Sequence, residues 1–213
     1  MAEKKLKILL HFYASRGFQS AIKWRMARYP AFALRIAGFL VATQLVCLAQ
    51  TEATPLHSGD LFPRLSGQCL SNKSLELPTA AAGKPAVVIF SFSKAAGDDS
   101  RLWNEHLAKD FSNSVPAYSI IVLGSVPRLL RGMIVSDIKK GMPASRQDQN
   151  IVLYQDEKIW KLRLAVSDDH RAYVLLITPD SRIRWSSPSA FNDAEYARLK
   201  DQIESLPKAH PEQ

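Results

Sequence analysis

The sequence predicts an α/β fold, with a central mixed sheet flanked by helices and opened by a β-hairpin. Three observations predict it. Ala86-Val-Val-Ile-Phe-Ser-Phe92 is a near-continuous apolar run, the pattern of a strand buried on both faces of a parallel sheet. Tyr118–Leu123 repeats the pattern, and between the two runs Leu102, Trp103, His106 and Leu107 recur at helical spacing. The last third of the chain holds two strand patterns joined by Pro179-Asp180-Ser181, then a final helix. The parallel βα units therefore give way to an antiparallel hairpin.

In chain order, residues 1–49 read as a signal peptide or N-terminal membrane-targeting leader. Ile36–Ala49 is a 14-residue apolar run, preceded by Arg25, Arg28 and Arg35 and ending in Cys47-Leu48-Ala49. That is the grammar of a secretory signal peptide cleaved after Ala49. The basic region ahead of it is long, and Met26 is the candidate true start, since it leaves an n-region of ordinary length. Two other readings stay open. The run falls short of the ~20 residues that span a bilayer, yet it could be retained as an anchor. Residues 1–35, basic and poor in acids, also suit an organellar presequence. Export is the expectation, to the periplasm or to a membrane anchor facing it, with the mitochondrial inner membrane as the alternative.

Residues 50–60 are a polar linker, 61–206 the folded domain and 207–213 a polar tail. Leu61–Pro78 reads as a hairpin turning at Ser71-Asn72-Lys73. Ala86–Phe92 is the first buried strand and Asp98–Phe111 the first helix, with Asp98 and Asp99 placed at its positive end. Tyr118–Leu123 is the next strand, and Pro127–Lys140 a helix closed by Gly141 and Pro143. A short strand at Ile151–Tyr154 and a short helix at Lys158–Val166 follow. Tyr173–Thr178 and Arg182–Ser186 form the hairpin. Asn192–Leu206 is the last helix, capped by Asn192 or Asp193.

Composition excludes more than it assigns. The net charge of +8 invites a nucleic-acid reading, but eight of the 28 Lys/Arg lie in residues 1–49 with a single acid, Glu3. From Gln50 onward 20 basic residues face 19 acidic ones, and the concentrated basic stripe of a duplex-binding surface is absent. The five histidines are scattered, without the spacing of a metal site. No glycine-rich phosphate loop and no Gly-x-Ser-x-Gly elbow occurs. No cofactor and no metal is expected. Of two cysteines, Cys47 falls in the leader and Cys69 in the first hairpin, so a processed chain holds no internal disulfide.

The stretch from Pro85 to Trp103 resembles the central strand and first helix of a thioredoxin-like domain. Such a domain carries Cys-x-x-Cys, or one reactive Cys, between those elements, because the helix dipole there lowers a thiol's pKa. Here the turn reads Ala95-Ala96-Gly97-Asp98, so Ala95 and Asp98 stand at the degenerate redox positions. Redox relatives also place a cis-proline before the penultimate strand, and the matching residue is Ala172, where a cis bond would cost roughly 3 kcal/mol. Arg182-Ile183-Arg184-Trp185 reads as an amphipathic strand, with Ile183 and Trp185 inward and Arg182 and Arg184 outward. Those two arginines beside a tryptophan are the candidate partner surface.

Several segments carry a narrower resemblance: Phe62-Pro-Arg-Leu-Ser-Gly67, Leu75-Glu-Leu-Pro78 with Gly83-Lys84, Trp103, and Ala172-Tyr-Val-Leu-Leu-Ile-Thr-Pro-Asp-Ser-Arg-Ile-Arg-Trp185. Together they are similar to the ATPase-complex-subunit-10 family of mitochondrial ATP-synthase assembly factors, thioredoxin-like proteins without redox cysteines. The resemblance implies a bacterial relative of that family. It implies a non-catalytic protein that binds a protein partner, as an assembly or chaperone-type factor for a membrane complex such as ATP synthase, and works close to the membrane. The alternative is a thiol-disulfide or peroxiredoxin-related oxidoreductase with an atypical site. The secretory leader departs from the family, whose members are imported into mitochondria.

Overall fold

The computed structural model describes residues 53–81, 83–111 and 114–207; the predicted leader lies outside the described residues. The elements are β1 (Leu65–Cys69), β2 (Ser74–Leu77), β3 (Ala86–Ser91), α1 (Lys94–Phe111), β4 (Ala117–Val122), α2 (Arg128–Lys140), β5 (Asn150–Leu153), α3 (Glu157–Arg163), β6 (Tyr173–Ile177), β7 (Ile183–Ser187) and α4 (Asp193–Glu204). Seven strands form one sheet in the order β2-β1-β5-β4-β3-β6-β7. β3, β4 and β5 run parallel, while the β1–β2 and β6–β7 hairpins flank them antiparallel. The mixed sheet is the one the sequence predicts.

The apolar runs become central strands because both faces of the sheet are covered. Val87 and Ile89 pack against Trp103 and Leu107 of α1 and Leu199 and Ile203 of α4. Val88 and Phe90 face the other way, toward Trp160 of α3, Phe62 and Ile183. α2 lays Ile134, Val135 and Ile138 against Leu123 and Val152. Val152 points away from Ile151 and Leu153, its neighbours in the α3-side core, so α2 shares the face of α1 and α4. Gly67 lets the first hairpin dock: a Cβ there would run into the Ile151 side chain, and β1 pairs with β5 one residue further on.

Two elements depart from expectation. α1 starts at Lys94 rather than Asp98. The Ser93 hydroxyl accepts the Ala96 amide at 3.1 Å and its carbonyl accepts the Gly97 amide at 3.0 Å, which makes Ser93 the cap. Asp98 is exposed one turn further along and pairs with Lys94 at 3.4 Å. The second departure is in β7. Ile177 pairs with Ile183 but Leu176 pairs with Trp185, so Arg184 is the extra residue of a β-bulge. A bulge breaks the two-residue period. Ile183 therefore joins the α3-side core, while Trp185 is half-buried on the opposite face against Trp103, ring centroids 6.4 Å apart. The expectation that Ile183 and Trp185 share a face is corrected.

Candidate functional site

In open α/β sheets ligands meet the chain outside the carboxyl ends of the parallel strands. Here that edge is built by Phe92 and Ser93 after β3, residues 123–127 after β4, residues 154–156 after β5 and residues 167–172 leading into β6. Four loops converge on the start of α1, where a thioredoxin-type dithiol would sit.

Sulfur is replaced there by tied-off polar groups. Ser93 spends its hydroxyl on the Ala96 amide, and buried Ser91 donates to the Ala96 carbonyl at 3.3 Å. The sequence reading set the degenerate window at Ala95 and Asp98. Both are exposed in the first turns of α1, and the cap is two residues earlier, because Ser93 starts the helix sooner than the acids suggest. A Cys-x-x-Cys spacing begun at the cap covers Ser93 and Ala96.

Ala172 is fully buried, and its amide donates to Asp99 Oδ2 at 2.9 Å. The other oxygen, Asp99 Oδ1, accepts the Phe191 amide at 2.7 Å. One carboxylate on α1 thus pins both the loop before β6 and the loop before α4. Proline has no N–H, so this clamp and a proline at 172 exclude each other. The cis peptide among the described residues is Leu77–Pro78, away from this position.

A charged layer covers the site from the α3 side. Glu157, with its side chain 11% exposed, accepts the Ser125 amide at 2.6 Å and pairs with Lys161 at 2.9 Å. Lys161 reaches on to Asp169 at 3.5 Å and lies over the Phe92 ring, 5.5 Å from its centroid. Burial pushes the Glu157 carboxyl up, but Lys161 and the Ser125 amide outweigh it and hold the group below the usual carboxylate range. The hydrogen bond to Glu157 raises Lys161. Both shifts favour the charged forms, which suits an ion pair better than proton transfer near neutrality. Tyr173 packs edge-on to Phe92, and its hydroxyl accepts the Ser167 and Asp168 amides. Asp168, Asp169 and His170 converge at the surface, where Arg171 Nε lies 2.9 Å from Asp168 and the His170 amide bonds it. The i,i+4 spacing of Glu157 and Lys161 is legible in the sequence; nothing there marks Asp99 as a clamp.

Cys69 lies elsewhere. It pairs with Ile151 near the start of β5, at the opposite edge of the sheet from α1's first turn. It is 3% exposed, its thiol donates to the Asp148 carbonyl at 3.1 Å, and burial with the nearby Asp148 charge pushes its pKa up. Arg182 and Arg184 are both exposed, but Arg182 donates to the Gly59 carbonyl at 2.7 Å. It fastens the lead-in segment, leaving Arg184 as the outward side chain of the bulge.

Solved structures resemble the chain over most of its length. A thiol:disulfide interchange protein from Chlorobium tepidum superposes with a TM-score of 0.51 at 14% identity, over 70% of this chain and 97% of that one. The thioredoxin domain of a thiol-disulfide oxidoreductase from Bacteroides vulgatus gives 0.52 at 15%, over 70% and 99%. An exposed lipoprotein thioredoxin from Streptococcus pneumoniae gives 0.51 at 12%, over 68% and 100%. At such identities the likeness shows the fold alone, and the fold is thioredoxin-like. No curated protein matches the sequence. The family model described as ATP10 protein matches residues 49–206, the whole folded domain and every segment quoted above for the resemblance; the chain belongs to the ATP10 family of ATP-synthase assembly factors.

Proposed function

We propose that the protein is a non-catalytic assembly factor that acts by binding, with a chaperone-type role toward a membrane subunit of ATP synthase. The carrying observation is the start of α1: Ser93 and Ala96 take the dithiol spacing, and the Ala172 amide is committed to Asp99. Thiol exchange needs an accessible thiolate at that place. Cys69, buried at the other edge with a raised pKa, is poorly suited to supply one. Family membership supports a partner in the ATP-synthase complex. The predicted leader supports a place at the membrane, by export or by a retained anchor; no helix among the described residues is long and apolar enough to cross one.

Two measurements test this reading. The purified protein should neither reduce insulin disulfides nor consume peroxide, and Cys69→Ser should change neither result. Tagged full chain should capture ATP-synthase subunits from solubilised membranes. Turnover that disappears in Cys69→Ser would establish the oxidoreductase reading instead.

A further inference from the structure

We infer that the outward face of α2 docks an amphipathic helix of the partner subunit, apolar along one side and bearing two carboxylates about three turns apart. Of the four α-helices, α2 alone has no fully buried side chain. Ile134, Val135 and Ile138 rest against Leu123 and Val152, and the opposite side of the helix is left uncovered. Leu129 and Met133 lie there one turn apart, 95% and 59% exposed, with half-exposed Leu130 beside them. A lone exposed leucine means little, but three large apolar side chains within two turns of one helix form an interaction ridge. The inference rests on the reading of the protein as a factor that binds a membrane subunit, and it adds where and by what chemistry that binding occurs.

The ridge adjoins the sheet edge described above. Residues 123–127, one of the four segments at that edge, lead straight into α2. Arg131 fastens the two: it donates to the Val126 and Gly124 carbonyls and lies over the Tyr154 ring, 5.2 Å from its centroid. Glu157 holds the Ser125 amide in the same segment. The apolar side chains are thus presented from a braced helix start. Gly132, a poor helix former, sits beside the ridge with open space where a Cβ would stand, so a second backbone can approach closely.

Charge selects the occupant. α2 carries four Lys/Arg against one Asp. Arg131 is spent on the two carbonyls, and Asp137 pairs with Lys140 at 3.4 Å. Arg128 and Lys139 have no ion-pair partner among the described residues. They fall on one flank of the ridge, roughly 16 Å apart along the helix, with Gly132 between them. A partner helix laid along that flank meets both cations with carboxylates at matching spacing. Two other occupants fit less well. A second copy, paired about a two-fold axis on this ridge, would set these cations against their counterparts, whether parallel or antiparallel. A bilayer favours apolar side chains along a helix's whole length, but this ridge ends at Met133 and gives way to Ser136, Asp137 and Lys140.

The test uses the tagged full chain and solubilised membranes, with captured ATP-synthase subunits identified by mass spectrometry. Leu129→Asp combined with Met133→Ser should keep a near wild-type melting temperature, since both side chains are exposed, and should capture roughly tenfold less subunit. Arg128→Glu suits the positive end of the helix; it should leave stability intact and weaken capture, as salt should for the wild type. A photoreactive phenylalanine analogue in place of Leu129 or Met133 should cross-link a synthase subunit, whereas one in place of exposed Ala197 on α4 should not. Unaltered capture by both sets of variants overturns this surface and leaves the binding function standing. A wild-type chain that captures no synthase subunit overturns both. Adducts from position 129 with a second copy, or with lipid alone, overturn the partner helix in favour of a dimer or a bilayer contact.

Discussion

At the residue scale the two neighbouring acids at the start of α1 have opposite fates. Asp98 is exposed and meets only Lys94, an i,i+4 contact of the surface kind that adds a few tenths of a kcal/mol. Asp99 receives two backbone amides from distant loops, and hydrogen bonds to a charged acceptor contribute about 1.5–3 kcal/mol each. We therefore expect Asp99→Ala to lower unfolding free energy by about 2–4 kcal/mol in urea titrations, and Asp98→Ala by less than about 0.5. Equal, small effects at both positions would remove the clamp from the account. Cys69 provides a second residue-scale expectation. In the Cys47→Ser chain its thiol should react with a disulfide reagent only after denaturant is added, because burial both shields it and keeps it protonated.

At the element scale the bulge in β7 governs which mutations matter. Ile183 is fully buried and Ile183→Ala should cost about 2–5 kcal/mol. Half-buried Trp185 should cost less on truncation, about 1–3 kcal/mol, below the range for a fully buried aromatic. Arg184→Ser should leave the melting temperature nearly unchanged, and deleting Arg184 should cost less than Ile183→Ala, although deleting a residue from a strand is ordinarily severe. Deletion makes Ile183 and Trp185 neighbours, which alternate faces in a regular strand, so each keeps its present face and its present partner on β6. Thermal unfolding of the four variants distinguishes an inserted residue from an ordinary surface one. The α3 pair gives a pH expectation. Glu157 is lowered in the fold, so its contribution is present above its unfolded pKa and fades as pH falls through the lowered value. Lys161 is raised, so its contribution is present below its unfolded pKa and fades as pH climbs through the raised value. Both act together from about pH 5 to 10. Lys161→Met should lower the melting temperature across that window and make the acid-side decline shallower; an unchanged acid limb would deny the pair that role.

At the scale of the whole molecule, the sheet was readable because burial on both faces writes itself into composition: Ala86–Phe92 and Tyr118–Leu123 could hardly be anything else. The mixed topology followed from the order of those runs and the final hairpin. What escaped was set by single hydrogen bonds or single residues. The Ser93 cap escaped because Asp98 and Asp99 offered a louder helix-start signal. The bulge at Arg184 escaped because Arg-Ile-Arg-Trp alternates cleanly on paper, and only pairing with β6 reveals the extra residue. The Asp99 clamp joins positions 73 and 92 residues away in sequence, which no local pattern records. Absent sulfur was legible at once, whereas its structural replacement required the tertiary contacts.

The Asp99 clamp also constrains what this chain can become. Cysteines placed at 93 and 96 would put thiols at the helix start, but a proline at 172 would strip Asp99 of one of its two amides. A half-buried carboxylate would then keep a single partner, at a cost comparable to the hydrogen bond it lost. A proline introduced at 172 is therefore destabilising on its own, whatever stands at 93 and 96. Asp99 and Ala172 are coupled positions, and a proline at 172 calls for a change at 99 as well. The carboxylate works as an interlock: the loop before β6 leans on it, so any proline-bearing version of that loop is conditional on a residue that itself performs no thiol chemistry.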